Sequence, residues 1–103
     1  MRIRLSKLAL GDLDSIYAHT IQKWGREQAD RYLNDIWDTF ENITQTPERW
    51  RLRDKLYPGC RICFTGRHAI LYRIHEGRVE IARVLHDAMD FPRHIPKDFM
   101  GST

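Results

Sequence analysis

From Cys60 to His86 the chain reads CRICFTGRHAILYRIHEGRVEIARVLH. It contains three short runs rich in Ile, Val, Leu and Tyr, which are Cys60 to Thr65, Arg67 to His75 and Arg78 to His86. Gly66 separates the first two runs, and the Glu76-Gly77 pair separates the second and third, at the spacing of tight hairpin turns. The stretch therefore predicts a three-stranded antiparallel meander.

Before the meander, apolar residues recur first at every second position and then at helical spacing. Residues Met1 to Ser6 alternate apolar and basic side chains, which predicts a short strand with one buried face. From Leu13 to Trp24 apolar residues recur at helical spacing, and this predicts a first helix that Gly25 ends. We expect Asp12 and Asp14 near the start of this helix, where the helix dipole favours acidic side chains.

A second amphipathic helix follows directly. Its apolar stripe runs from Ala29 to Ile43 with acidic residues outside it, and the Thr46-Pro47 pair is expected to end it. Trp37 and Phe40 lie in the centre of the stripe and are assigned to the core. Because only a short corner at Gly25 separates the two helices, we expect a helical hairpin on a common core.

The order of the elements is β-α-α-β-β-β, which defines an α+β fold. A length of 103 residues is usual for a single domain, and we assign residues 1–103 to one domain. The basic segment Glu48 to Gly59 is expected to be a loop that connects the helices to the meander. The C-terminal tail, Asp87 to Thr103, has two prolines and no sustained period, so we expect either a strap across the body or a loose end.

Composition favours a packed core and argues against a membrane or secreted protein. Hydrophobic residues make up 42% of the chain, which is too much for a disordered tail. No window approaches the roughly 18 to 20 consecutive apolar residues of a membrane span. The start, MRIRLSKLAL, lacks the apolar region of a secretory signal. We therefore expect a cytoplasmic protein without a membrane partner.

The net charge of +3 hides an asymmetry between the two halves of the chain. Residues 1–48 carry 6 Lys and Arg against 8 Asp and Glu, whereas residues 49–103 carry 11 against 6. Of the 17 basic residues 13 are Arg, whose planar fork suits carboxylates and phosphates. This favours an anionic partner, protein or nucleic acid, and the alternative is a solvated basic surface.

The Cys residues form a C-x-x-C, a spacing that can mark a redox centre or half of a zinc site. Cys60 and Cys63 form a C-x-x-C within a run that reads as a strand, where residues three apart point to opposite faces. We interpret them as two ordinary reduced thiols. The five histidines lack H-E-x-x-H or similar spacing, so no metal site is predicted. The loop signatures of nucleotide-binding enzymes and of elbow hydrolases are missing as well.

Arginines interrupt the apolar strands of the predicted meander. They are Arg61, Arg73, Arg78 and Arg83, and any that share a face would form a basic strip there. The alternative is that they reach water at the sheet margin or pair with Glu80 or Asp87. His86 ends the last strand next to Asp87, which could orient it as a general base, or it could have a capping or surface role.

Several fragments, in this order and spacing, resemble the ParE branch of the RelE/ParE toxins over about residues 1 to 92. The fragments are Leu5-Ser6, Ala9 to Ile16, the Trp24-Gly25 corner, Pro58 to Arg61, His68 to Arg73, and Arg83 to Asp87 with Asp90. The resemblance implies the toxin half of a type II toxin–antitoxin module of a plasmid or chromosome. It implies neutralisation by a ParD-like antitoxin and inhibition of DNA gyrase by binding, with no cofactor and no sequence-specific DNA binding by the toxin alone.

Two surfaces are expected on a toxin of this kind. We assign target binding to Arg73, Arg83, His86 and Arg93, in the basic half of the chain. We assign antitoxin binding to Tyr17, Trp24, Trp50 and Arg61, because exposed aromatic and Arg side chains are typical interface anchors.

The alternative function is a metal-independent endoribonuclease of RelE type that cleaves mRNA on the ribosome. Its minimal catalytic set here would be Arg61, Arg83 and His86. Ribonuclease members carry basic residues on the first two meander strands, whereas this chain has Cys63 and Ala69 there, and no Tyr follows the last strand. We therefore expect a binding protein and no enzyme.

Overall fold

The computed structural model describes residues 1–100, and its strands form one four-stranded sheet. The strands are β1 (Arg2–Leu5), β2 (Arg61–Thr65), β3 (His68–His75) and β4 (Arg78–His86). Their spatial order is β1-β4-β3-β2. β2, β3 and β4 pair antiparallel, which confirms the meander, and β1 lies parallel to β4, with Ile3 opposite Val79.

The two predicted hairpin turns are present. Gly66 has φ +54°, and Glu76 and Gly77 have φ +50° and +74°. A two-residue turn with both central residues at positive φ matches the twist of the flanking strands, which is why the Glu76-Gly77 pair closes the second hairpin.

The first helix, α1, spans Lys7–Trp24 and starts earlier than the apolar spacing predicts. The Ser6 side chain accepts a hydrogen bond of 2.9 Å from the Ala9 N–H and caps the helix. The Ser6 N–H also bonds the carbonyl of Ile81, so the chain leaves the sheet directly into the helix. Asp12 and Asp14 therefore lie beyond the first turn of the helix, which contains no acidic residue.

The second helix, α2, spans Arg26–Gln45 and confirms the helical hairpin. Gly25 joins the helices with φ +93° and ψ 168°, a conformation that is essentially restricted to glycine. Its N–H bonds the carbonyl of Ile21, and its carbonyl accepts from the Ala29 N–H. One glycine thus ends α1 and starts α2. The second helix ends before the Thr46-Pro47 pair, as predicted.

Apolar residues cover both faces of the sheet. The helix face buries residues of both helices and of β2, β3 and β4, among them Leu13, Ile36, Phe40, Cys63, Tyr72 and Ile81. The opposite face buries a second cluster that includes Tyr57, Cys60, Leu71, Leu85 and Phe99. The loop between α2 and β2 therefore contributes Tyr57 to the core, a role that its basic composition concealed.

The C-terminal tail is a strap as far as residue 100. Two short 3₁₀ helices, Phe91–His94 and Lys97–Phe99, lie along the opposite face, where Phe99 is buried. Residues 101–103 of the predicted tail lie outside the described part of the chain. Within that part, no helix combines the length and the apolar character needed to cross a membrane.

One core assignment is wrong and one thiol prediction is confirmed. Trp37 is 45% exposed, whereas Phe40 is 1% exposed, because Trp37 lies at the solvent margin of the stripe with its ring edge-on to Phe40. Cys60 and Cys63 are free, buried and part of different clusters, so they point to opposite faces. Burial raises the pKa of each thiol to about 11.

Candidate functional site

Arg83 is held by an acidic residue of α1. Its guanidinium donates two hydrogen bonds to the Asp12 carboxylate, at 2.8 and 2.6 Å, and a third to the carbonyl of His94 at 3.0 Å. The same carboxylate accepts from the Val84 N–H at 2.9 Å. The hydrogen bonds with Asp12 raise the pKa of Arg83 against the opposing effect of burial. Arg83 thus joins α1, β4 and the tail.

A β-bulge precedes Arg83 in β4. In the pairing of β3 with β4, Leu71 faces Arg83 whereas Tyr72 faces Ile81, so Ala82 is the extra residue. Ala82 belongs to the buried cluster of the opposite face. No local pattern in the sequence marks this bulge.

Glu80 holds two further arginines of the meander. Arg73, directly opposite on β3, contacts one carboxylate oxygen of Glu80 at 2.9 Å, and Arg78 contacts the other at 3.1 Å. Burial opposes ionisation of Glu80, but the hydrogen bonds from both arginines outweigh it and lower the pKa of the carboxyl. The Arg73 guanidinium also lies 4.1 Å from the ring centre of Phe99.

The fourth arginine fixes the loop before β2. Arg61 donates to the backbone carbonyls of Glu48, at 3.1 Å, and of Trp50, at 2.5 Å. Each arginine of the expected basic strip therefore has a partner within the chain, and for Arg73 and Arg78 this partner is Glu80, the alternative considered above.

The residues assigned to target binding differ in exposure. The side chains of Arg73 and Arg83 are 19% and 15% exposed and held in ion pairs. That of His86 is 46% exposed and that of Arg93 is 81% exposed, the latter beside Asp90 at 3.1 Å. The structure thus presents two of the four side chains to a partner.

The residues assigned to antitoxin binding fall into two pairs. Tyr17 and Trp24 lie two turns apart on α1, where the Tyr17 hydroxyl donates to the Asp30 carboxylate at 2.5 Å and Trp24 is 66% exposed. The hydrogen bond with Asp30 raises the pKa of Tyr17. Trp50 and Arg61 meet at the loop before β2. The Trp50 ring packs edge-on to buried Tyr72.

A groove between α1 and the ends of β3 and β4 escaped the sequence analysis. Two cavities of about 380 and 460 Å³ share His19, Thr20, His68 and His86, and we call the combined space the histidine groove. The three histidines come from three separate elements, so no spacing in the sequence could reveal them. The ring centres of His68 and His86 are 5.5 Å apart.

Tyr32 of α2 contacts His68 and Arg67 in the wall of the histidine groove. Its hydroxyl lies 2.6 Å from Nδ1 of His68 and accepts from the Arg67 N–H at 3.1 Å. Burial is the main cause that lowers the pKa of His68, and the neighbouring His86 lowers it further. His86 in turn accepts a hydrogen bond at Nδ1 from the Ala88 N–H, and this Nδ1 lies 3.3 Å from a carboxylate oxygen of Asp87.

The residues of the ribonuclease alternative are engaged separately. Arg61 binds loop carbonyls, Arg83 binds Asp12, and His86 contacts Asp87 and Ala88. Among residues 1–100, no group of three or more His, Cys, Asp or Glu side chains is placed to hold a metal ion.

Comparison with known proteins decides the family. Residues 3–91 match the family model described as the ParE toxin of the type II toxin–antitoxin system parDE. The chain belongs to the ParE toxin family. Toxin ParE1 of Caulobacter vibrioides is 40% identical over 92 residues, which cover 89% of this ParE-family chain and 95% of the relative. Toxin ParE1 of Mycobacterium tuberculosis is 34% identical over 95 residues, which cover 91% and 97%.

Solved structures confirm the fold of this ParE-family toxin. A chain of the chromosomal ParDE system from P. aeruginosa superposes with a TM-score of 0.73 at 24% identity, covering 84% of this chain and 95% of that one. A chain of the RelBE2 toxin–antitoxin complex from Mycobacterium tuberculosis superposes with a TM-score of 0.61 at 26% identity, covering 82% and 95%. The resemblance to the ParE branch and the β-α-α-β-β-β fold are thus both confirmed.

Proposed function

We propose that this type II toxin inhibits DNA gyrase by binding it in the cytoplasm and that a ParD-like antitoxin neutralises it. The observation that carries the proposal is the match of residues 3–91 to the ParE toxin of parDE systems. The arrangement of the arginines supports binding over catalysis, because Arg61 and Arg83 are both committed to partners within the chain. All three nitrogens of the Arg83 guanidinium bond Asp12 or the His94 carbonyl, and Nη1 of Arg61 bonds two loop carbonyls.

The proposed target surface centres on His86 and Arg93. Both side chains are exposed, and both belong to the basic half of the chain. Arg83 connects them, because it lies in β4 before His86 and bonds the carbonyl of His94, next to Arg93. Arg73 supports the tail through its contact with Phe99. Arg73 and Arg83 therefore shape the surface that His86 and Arg93 present.

A supercoiling assay tests the target. We expect the purified toxin to inhibit supercoiling by gyrase, and the H86A/R93A variant to lose most of this inhibition. The matched control is H75A/R31A, which removes the same two side-chain types at exposed positions away from the proposed surface. If both variants inhibited supercoiling as strongly as the wild type, His86 and Arg93 would not belong to the target surface.

The proposed antitoxin surface uses Tyr17 and Trp24 on α1 together with Trp50 and Arg61. Trp24 is the most direct probe, because its exposed indole can be truncated without opening the core. We expect Trp24→Ala to weaken the complex with the antitoxin about tenfold or more, since buried Trp anchors contribute at least about 2 kcal/mol to interfaces. Trp37→Ala, which truncates another exposed indole on α2, is the control and should bind normally.

An endoribonuclease of RelE type is the second candidate, and the likeness to a chain of the RelBE2 complex favours it. Its test is the integrity of mRNA in poisoned cells. Cleaved mRNA that becomes intact with His86→Ala, while gyrase stays active, would favour the ribonuclease over the gyrase inhibitor.

A further inference from the structure

The histidine groove offers hydrogen-bond donors to a ligand. The Ala88 N–H can only donate, so Nδ1 of neutral His86 is the acceptor and its Nε2 carries the proton. The Tyr32 hydroxyl accepts from the Arg67 N–H, and its own proton then satisfies Nδ1 of His68. Neutral His68 therefore also carries its proton on Nε2. Each imidazole has an N–H left for a ligand.

Two cations add to these donors. Lys23 and Arg67 line the same cavity as His68 and His86, and both are exposed. The Asp12 carboxylate also lines the groove, but it is committed to Arg83 and to the Val84 N–H. An Asp87 carboxylate oxygen lies 3.3 Å from Nδ1 of His86, but none of the residues that line the cavity with Lys23 and Arg67 is acidic. The donors and positive charge of that cavity suit an anion, and phosphate oxygens accept several such hydrogen bonds at once.

An aromatic side chain completes the cavity. Trp24 lines the wall beside Lys23, whose ammonium lies 5.6 Å from the centre of the indole ring. An exposed indole is a platform on which a nucleobase stacks, because every base has a flat π face. The cavity of about 460 Å³ lies in the size range of sites that bind small ligands.

We propose that the histidine groove of the free toxin binds a nucleotide. The phosphate meets Lys23, Arg67 and the imidazole N–H groups, and the base stacks on Trp24. This ligand chemistry occurs in free nucleotides and in single-stranded nucleic acid. Because Trp24 is also an anchor of the proposed antitoxin surface, the antitoxin and the nucleotide would compete.

The five histidines make the test internally controlled. His19, His68 and His86 line the groove, whereas His75 lies at the end of β3 and His94 in the tail. Adenosine monophosphate, added to the full chain, should shift the imidazole NMR signals of the three groove histidines and leave those of His75 and His94 in place. It should also quench tryptophan fluorescence, and this quenching should vanish in Trp24→Phe.

Matched variants and ligands separate the possible outcomes. K23A/R67A should weaken binding at least about tenfold, because it removes both cations of the cavity that would meet the phosphate. K7A/K97A removes two cations from the cavity on the other side of the sheet and should bind normally. A short single-stranded oligonucleotide is then compared with adenosine monophosphate. Tighter binding of the oligonucleotide would assign the groove to single-stranded nucleic acid, and weaker binding would assign it to a free nucleotide.

Four results would overturn the proposal. The first is no response of the groove histidines to either nucleotide ligand. The second is unchanged binding by K23A/R67A. The third is equal affinity for inorganic phosphate and adenosine monophosphate, which would leave no role for Trp24. The fourth is a response to a glutamate-rich peptide but not to nucleotides, which would assign the groove to a protein partner.

Discussion

The carboxylate of Asp12 and the guanidinium of Arg83 are joined by two hydrogen bonds of 2.6 and 2.8 Å, although 71 residues separate them in the chain. Both side chains are largely shielded from water, with 12% and 15% exposed. The pair ties the first helix to the last strand, and the third hydrogen bond of Arg83 extends the tie to the tail. We therefore regard it as part of the framework that positions His86 and Arg93.

Asp12→Ala should be among the most destabilising substitutions on the surface of α1. It leaves the guanidinium of Arg83 and the Val84 N–H without their shared acceptor. Removing one partner of a shielded ion pair costs about 3 kcal/mol of unfolding free energy. Urea denaturation measures this loss. Asp14→Ala, at an exposed position of the same helix, should change the value by no more than about 0.5 kcal/mol. Similar losses for both variants would show that the pair contributes little.

The ion pairs of Glu80 make stability depend on acid pH. The pKa of Glu80 is lowered in the folded state, so the unfolded chain takes up the proton at a higher pH. The stabilisation is present above the ordinary pKa of 4.5 and is lost as the pH falls through the lower folded value. Urea denaturation of wild type and Glu80→Gln across this range should show a shallower acid decline for the variant. If the unfolding free energies of wild type and Glu80→Gln fell equally steeply with pH, the assignment would be contradicted. Glu76→Gln, at an exposed turn, is the control for loss of charge.

Gly66 should tolerate no side chain because of Tyr32. A Cβ at position 66 would lie 2.7 Å from the Tyr32 hydroxyl oxygen, which His68 and Arg67 hold in place. Gly66→Ala should therefore lose more unfolding free energy than Gly77→Ala. Gly77 also has positive φ but has open space around it, so its variant reports the backbone strain of about 1 to 3 kcal/mol alone. Equal losses in thermal or urea denaturation would refute the clash.

Local patterns were sufficient to predict most elements of the fold. The meander followed from turn residues at Gly66 and Gly77 between β-branched runs, and the helical hairpin from apolar spacing around Gly25. The start of α1 was missed because Leu8 and Leu10, in its first turns, are exposed and break the apolar stripe. The parallel pairing of β1 with β4 depends on contacts between residues that are distant in the chain, which spacing does not encode.

The site was less predictable, because its chemistry depends on distant partners. The arginines of the strands were recognised, and so was Glu80 as a possible partner. The role of Asp12 could not be predicted, since its partner Arg83 lies 71 positions further along the chain. The histidine groove likewise needs three elements to meet.

The two cysteines should be inert in the folded protein. Burial raises the pKa of Cys60 and of Cys63 to about 11, so both are thiols near neutral pH, and the thiolate is the reactive form. Alkylation by iodoacetamide at pH 7.5 should be slow in the native protein and fast in urea, as followed by mass spectrometry. Rapid labelling of the native protein would contradict the buried placement of these residues.

If the toxin inactivates gyrase by binding it, the stoichiometry of inhibition should show this. Toxin is titrated against a fixed amount of gyrase, and the remaining supercoiling activity is measured before and after the antitoxin is added. We predict that inhibition saturates near equal amounts of toxin and gyrase and that the antitoxin prevents it. Full supercoiling activity at excess toxin, or its loss at far less than one toxin per gyrase, would show that the toxin does not act by binding gyrase in equal amounts.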